Sequence, residues 1–333
     1  MYNKESEIIL NRIQKWYERL QGLIIHEKKE FIAQYGWSKH PTSFDDRTTL
    51  DYKDIVEGDS WGKKWESAWF HLHGDVPDKW EGKTVYGEID LSGEGLVYDR
   101  YGVAIQGITN ASIWDPNFAR TRVPLIDSAT GGERIELWVE AAANSLFGVF
   151  TDPDPEKESP KRYGWFDAKV ETLRFGVFDE DIWHLYLDAR ILLGMIKHLE
   201  NDSVRRSRAI LALNESINVL SDRRSNAKDA RACLKFELKK NASASDLNVS
   251  AIGHAHIDTG WLWPVRETVR KCARTFATQL NIINRYPDYI FGASQPQHYQ
   301  FIKDQYPEIY GRIKEAVQSG NWELQGGMWV EAD

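Results

Sequence analysis

Hydrophobic residues in the first 24 positions recur every three or four residues, with charged residues between them. This spacing places the apolar side chains on one face of a helix, so the sequence predicts an amphipathic N-terminal helix. The residues on that face are Ile9, Ile13, Trp16, Leu20 and Ile24.

From about Trp61 the pattern changes to short alternating runs, which Gly, Asp and Pro interrupt. Alternation with period two is typical of half-buried strands, and several short strands between turn residues predict an antiparallel β-sandwich. We expect this sandwich to end near residue 175. The runs that carry the pattern are ESAWFHLHGDVP, KTVYGEIDLSGEGLVYD, YGVAIQGI and RIELWVEAAANSLFG.

Helical periodicity returns after the sandwich. The segments DEDIWHLYLDARILLGMIKHLE and VRRSRAILALNESINVLSD predict a helical pair, joined at the turn-prone NDS of residues 201–203. The polar stretch KKNASASDLN at 239–248 follows and is rich in small residues, so it predicts a linker.

The last segment alternates strand and helix patterns. We expect a strand in NVSAIGHAHID, a helix with the apolar face that includes Cys272 and Phe276, and a strand in YIFGASQP. A second helix from Tyr299 to Val317 ends before Gly320, and NWELQGGMWVEAD is the last strand. Such a βαβαβ order predicts parallel strands. The basic run RKCAR at 270–274 is interpreted as a solvated helix face around the buried Cys272.

Together these patterns predict an α+β multidomain fold, which we divide into four segments. The N-terminal helix and a connecting segment occupy residues 1–60, the β-sandwich 61–175 and a helical linker 176–245. Residues 246–333 would begin a barrel-like catalytic domain with parallel strands. Because three strands cannot close an α/β barrel, we expect the chain to be the N-terminal part of a longer protein.

Composition narrows the class of partner. The chain has 42 Lys and Arg against 50 Asp and Glu, which gives a formal net charge of -8. This charge argues against nucleic acid or an anionic membrane surface as the main binding partner. The N-terminus is charged throughout and lacks the pattern of a secretory signal, and no apolar run approaches the length of a membrane span. The expected location is therefore cytoplasmic.

The stretch HAHIDTGWLWP at 254–264 carries the clearest chemistry. If its strand runs straight through, His254, His256 and Asp258 share one face at the carboxyl end, where ligands of parallel sheets gather. Histidine and aspartate are suitable zinc ligands. The alternative is that one histidine is a hydrogen-bonded core residue and Asp258 caps the following helix.

At this point the sequence resembles a known family. The segment GHAHIDTGWLWPVRETVRKCARTF resembles the signature of glycoside hydrolase family 38 α-mannosidases, and NWELQGGMWVEAD is similar to the strand that carries the nucleophile of that family. The N-terminal half, including GEGLVYDRYGVAIQGI, resembles the cytosolic and bacterial branch. The resemblance implies a retaining α-mannosidase that acts on terminal α-mannosides of oligosaccharides such as oligomannose.

The resemblance also implies roles for individual residues. His256, Asp258 and Asp333 would bind one Zn²⁺ per chain, which Co²⁺ could replace. Asp333 would also be the catalytic nucleophile, Trp261 would lie against the mannose ring, and His254 would support the site without binding metal. In the family the fourth zinc ligand, a histidine, and the acid/base carboxylate lie far downstream. We therefore expect this chain alone to be inactive. We also expect the full-length protein to form a homo-oligomer.

Two other functions remain open on the residues alone. An amidohydrolase-like metal hydrolase would place both His254 and His256 on the metal, but it gives Asp258 and Trp261 no role. A non-catalytic carbohydrate-binding protein built on the β-region would leave the pattern of 253–333 unexplained.

Overall fold

The computed structural model describes residues 2–109, 119–144, 168–240, 247 and 249–331. The chain divides into two compact units. One contains residues 1–28 and 176–249, and the other contains residues 29–175 and 250–333. Among the described residues, no helix is long and apolar enough to cross a membrane.

The first unit is helical, as the sequence predicts. Its N-terminal helix buries Ile13, Trp16 and Leu20 from the predicted apolar face. The side chains of Asp179 and Ser203 cap the two helices of the predicted pair, accepting hydrogen bonds from the backbone N–H groups of Ile182 and Arg206. The helices are α1 (Tyr2–Leu23), α2 (Glu180–His198), α3 (Val204–Leu220), α4 (Ala227–Ala232) and α5 (Lys235–Leu238).

The described residues of the β-region form two sheets, which confirms the predicted antiparallel architecture. The larger sheet has the order β3-β2-β4-β9-β6-β7 and the smaller one β1-β10-β5-β8. Phe175 of the smaller sheet packs against Gly74 of the larger one. The strands are β1 (Ile25–Glu30), β2 (Ile32–Ser38), β3 (Tyr52–Asp54), β4 (Ser67–Asp75), β5 (Val85–Asp90), β6 (Glu94–Asp99), β7 (Ala104–Thr109), β8 (Arg122–Ile126), β9 (Arg134–Ala142) and β10 (Thr172–Phe178).

The larger sheet begins earlier in the chain than residue 61. Strand β2 pairs with β4 along its whole length, from Ile32 opposite His73 to Ser38 opposite Ser67, and β3 pairs with β2. Strand β2 contains Gly36 between two aromatic residues and lies far from the other runs in sequence, so its pattern alone is weak. Its pairing with β4 makes it a strand.

The last segment has the predicted βαβαβ order with parallel pairing. The sheet order is β11-β12-β13, with Gly253 opposite Phe291 and Phe291 opposite Trp322. The elements are β11 (Gly253–His254), α6 (Val265–Arg285), β12 (Phe291–Ala293), α7 (Pro296–Gln305), α8 (Pro307–Gln318) and β13 (Trp322–Leu324).

Three expectations about this segment are wrong in detail. The last strand, expected in NWELQGGMWVEAD, ends at Leu324, so the described residues 325–331 are not a strand. The single helix expected from Tyr299 to Val317 breaks at Tyr306, because Pro307 disfavours a helical conformation in the residue before it. The first strand ends at His254, so His256 and Asp258 lie on the loop that follows and do not share a strand face with His254. The predicted helix end is confirmed, since Gly320 follows α8 with a φ of 81°.

The basic run of α6 is also different from the expectation. Arg270, Lys271 and Arg274 are buried, with 2%, 5% and 5% of their surface exposed, and are not a solvated face. They contact carboxylates of the β-sandwich: Arg270 Nε lies 2.8 Å from Glu140, and Lys271 Nζ lies 2.6 Å from Glu94. Helix α6 therefore lies between the small parallel sheet and the larger sandwich sheet, with charged groups on its sandwich side.

Candidate metal centre

A short loop between β11 and α6 carries the predicted site residues. Gly260 has a φ of 86°, a conformation that favours glycine, and it turns the chain between Asp258 and the two tryptophans. Thr268, in the first turns of α6, is fully buried. Its hydroxyl accepts hydrogen bonds from the Gly260 N–H and the Trp263 indole and donates to the carbonyl of Asp258.

The imidazole of His256 lies between two carboxylates. Its Nε2 is 3.0 Å from Oδ1 of Asp258, and its Nδ1 is 2.8 Å from Oε2 of Glu331. The side chain of His256 is 43% exposed and that of Asp258 is 17% exposed. The structure thus brings together two of the predicted metal ligands where a ligand from solvent can reach them.

Glu331 is a site residue that the sequence reasoning missed. Ser294 Oγ donates a hydrogen bond to its Oε1, and its backbone N–H donates to Gln295 Oε1 at 3.2 Å. The hydrogen bond from Ser294 and the contact with His256 hold the pKa of the Glu331 carboxyl below its usual value, despite partial burial. Its place in VEAD, at the end of the third strand pattern, was the available signal.

Two polar residues that follow β12, Gln295 and the α7 residue His298, contact the loop. Gln295, which is 3% exposed, donates from Nε2 to the carbonyl of Ile257 at 2.9 Å. The hydroxyl of Thr259 lies 2.9 Å from Nε2 of His298. Burial lowers the pKa of His298 to about 4, so this imidazole is neutral at neutral pH.

The remaining predicted residues are placed as follows. Trp261 is 56% exposed, and its ring contacts Trp263 edge to face with 5.5 Å between centroids. Trp263 itself is buried. His254 ends β11 and is exposed. Asp333 lies outside the described residues.

The donor atoms of this centre fit zinc. An imidazole nitrogen and a carboxylate oxygen are ordinary ligands of Zn²⁺. Nδ1 of His256 faces Glu331, and Nε2 of the same ring faces Asp258. A metal-binding histidine is commonly oriented in this way, with one ring nitrogen held by a carboxylate and the other directed to the metal. The described residues contain no group of three or more His, Cys, Asp or Glu side chains that could hold a metal.

Comparisons with known proteins now decide the family. The model of the glycosyl hydrolases family 38 N-terminal domain matches residues 246–333, which include the candidate centre. A second model, described as an α-mannosidase jelly roll domain, matches residues 29–169. The chain belongs to glycoside hydrolase family 38. The resemblance found in the sequence is thereby confirmed.

Several curated relatives align along most of the chain. Alpha-mannosidase G of Dictyostelium discoideum is 34% identical over 99% of this chain, and alpha-mannosidase 2C1 of Homo sapiens is 34% identical over 85%. The alpha-mannosidase of Saccharomyces cerevisiae is 26% identical over 87%. The chain spans only 31%, 26% and 27% of these relatives, respectively.

Proposed function

We propose that this chain is the N-terminal part of a zinc-dependent, retaining α-mannosidase that hydrolyses terminal α-mannosides of oligosaccharides. The observation that carries the proposal is the convergence of His256 and Asp258 on a loop within the segment that matches family 38. The names of the relatives support α-mannosides as the substrate class. The resemblance to the cytosolic and bacterial branch supports a cytoplasmic location.

Each site residue has a role in this proposal. His256 and Asp258 bind zinc together with Asp333, while Glu331 keeps the Nδ1 proton of His256 and so directs Nε2 to the metal. Zinc would act as a Lewis acid and hold vicinal hydroxyls of the sugar. Trp261, with its exposed ring, offers an apolar surface to a C–H face of the mannose.

Asp333 supplies the nucleophile. Its carboxylate attacks the anomeric carbon as the glycosidic bond breaks, and a carboxylic acid protonates the departing oxygen. Water, which gives its proton to the conjugate base of that acid, then hydrolyses the glycosyl-enzyme intermediate with retention of configuration. This acid must lie about 5–5.5 Å from the nucleophile. We propose that this acid and a further zinc-binding histidine lie in the part of the full-length protein that follows this chain, and that residues 1–333 alone do not turn over substrate.

The metal ligands provide the direct test. The full-length protein should contain one zinc ion per chain after dialysis, as measured by metal analysis. We expect His256→Ala and Asp258→Ala each to lower this zinc content to a small fraction. Their loss should exceed the roughly 10–100-fold that removal of a supporting residue costs. Co²⁺ should restore metal content and activity to the metal-free wild type.

His254→Ala is the matched control for these variants, because His254 is the neighbouring exposed histidine of the same motif. It should retain zinc. Loss of metal in His254→Ala as complete as in His256→Ala would contradict this site and favour an amidohydrolase-like centre that uses both histidines.

A further inference from the structure

The hydroxyl of Thr268 makes three hydrogen bonds to one loop. It accepts from the Gly260 N–H at 2.9 Å and from the Trp263 Nε1–H at 3.0 Å, and it donates to the Asp258 carbonyl at 3.1 Å. A threonine hydroxyl has one proton and two lone pairs, so its full capacity is used on this loop. Thr268 is fully buried, and water therefore does not replace these bonds.

The helix that carries Thr268 is fixed to the β-sandwich. Two residues further on, the guanidinium of Arg270 donates to the Ser67 hydroxyl at 3.0 Å and to the Ala141 carbonyl at 2.8 Å. It also pairs with Glu140. All these groups are buried, so dissolved ions screen the contact only weakly. Arg270 thus joins α6, two residues beyond Thr268, to strands β4 and β9 of the sandwich.

We propose that Thr268 is a positioning residue for the loop of residues 258–263, and that the β-sandwich fixes the metal centre through α6 by way of this hydroxyl. The part of this inference that concerns metal rests on the proposed function. Thr268 itself touches neither metal nor substrate. It acts by setting the backbone of Asp258, whose carboxylate lies beside His256, and of the turn at Gly260 that leads to the exposed Trp261.

The test compares two substitutions at this position. Thr268→Val keeps the shape of the side chain and removes the hydroxyl, whereas Thr268→Ser keeps the hydroxyl. In residues 1–333, hydrogen exchange of the Gly260 amide should become about five- to tenfold faster in Thr268→Val, the factor for loss of one hydrogen bond. Thr268→Ser should exchange at the wild-type rate.

Zinc affinity is the second readout, measured on the full-length protein by competition with a chromophoric chelator. Thr268→Val should bind zinc about 10–100-fold more weakly, the usual effect of residues that orient metal ligands. Thr268→Ser should restore the wild-type affinity.

Thr278→Val is the matched control. Thr278 is a second buried threonine of α6, and its hydroxyl accepts from the Gly107 N–H of the sandwich at 3.0 Å. Thr278→Val should speed exchange at Gly107 and leave exchange at Gly260 and zinc affinity unchanged. This variant therefore shows how far the removal of any buried hydroxyl from α6 changes hydrogen exchange and zinc affinity.

The outcomes separate the two proposals. Unchanged exchange at Gly260 in Thr268→Val would overturn the positioning role. Faster exchange with unchanged zinc affinity would overturn the link from Thr268 to the metal centre. If wild-type full-length protein bound no zinc while Gly260 exchange behaved as expected, the proposed function would fail, and Thr268 would position the loop alone.

Discussion

Asp333→Ala should abolish hydrolysis of an aryl α-mannoside by the full-length protein. The substitution removes the carboxylate that would form the covalent intermediate and also one zinc ligand, so two essential contributions are lost together. Loss of a nucleophile in other hydrolases lowers kcat by about 10⁶-fold, and we expect at least about 10⁴-fold here. Steady-state kinetics with the zinc-loaded protein, together with metal analysis, measure both effects.

Glu331→Gln is the control for this substitution. Glu331 is the other carboxylate of VEAD, and it lies 2.8 Å from His256. Because the substitution removes the negative charge beside His256, zinc binding should weaken by roughly 10–100-fold. The amide of Gln keeps an oxygen acceptor for Nδ1, so turnover at saturating zinc should be preserved. Near-normal turnover in Asp333→Ala combined with an inactive Glu331→Gln would move the nucleophile to Glu331.

The second large effect concerns the charges between α6 and the sandwich. Arg270 pairs with Glu140 and with Glu267, both of which are buried. Although burial alone would raise the pKa of Glu267, Arg270 and Arg274 hold it below its usual value. Arg270→Ala would leave two carboxylates without their main partner, at a cost of about 3–5 kcal/mol. Native-state hydrogen exchange of the α6 amides measures this cost as a decrease in the free energy of opening of the helix.

Glu308→Ala provides the comparison. It breaks the more exposed pair between Glu308 and Arg312 on α8, whose oxygen and nitrogen are 3.1 Å apart. Such pairs contribute about 0–1 kcal/mol, so α6 exchange should change little. If Arg270→Ala cost no more than Glu308→Ala, the charges on α6 would be hydrated and the sandwich would not fix this helix.

Periodicity predicted much of this fold because burial on one face leaves a repeating pattern. The apolar face of α1 and the Cys272–Phe276 face of α6 are buried as expected. The βαβαβ order and the parallel pairing also agree with the sequence. The predicted limits of the four segments, 1–60, 61–175, 176–245 and 246–333, remain predictions.

Several of the errors arise because tertiary contacts decide the structure, whereas the helix break at Tyr306 is a local effect of Pro307. The run RKCAR looks like a solvated face because its partners, Glu94 and Glu140, are more than a hundred residues away in sequence. The contact of Glu331 with His256 joins the segments that follow strands β13 and β11, which only the folded sheet brings together. For the same reason the motif HAHID predicted His256 and Asp258 as metal ligands but not the loop on which they lie.

The anomer of the first product tests the central claim most directly. Zinc-loaded full-length protein should hydrolyse an aryl α-mannoside and release α-mannose first, as seen by proton NMR before mutarotation. Activity should disappear when a chelator removes the metal and return when Zn²⁺ is added. Release of β-mannose as the first product, or full turnover by the metal-free protein, would contradict a zinc-dependent retaining α-mannosidase.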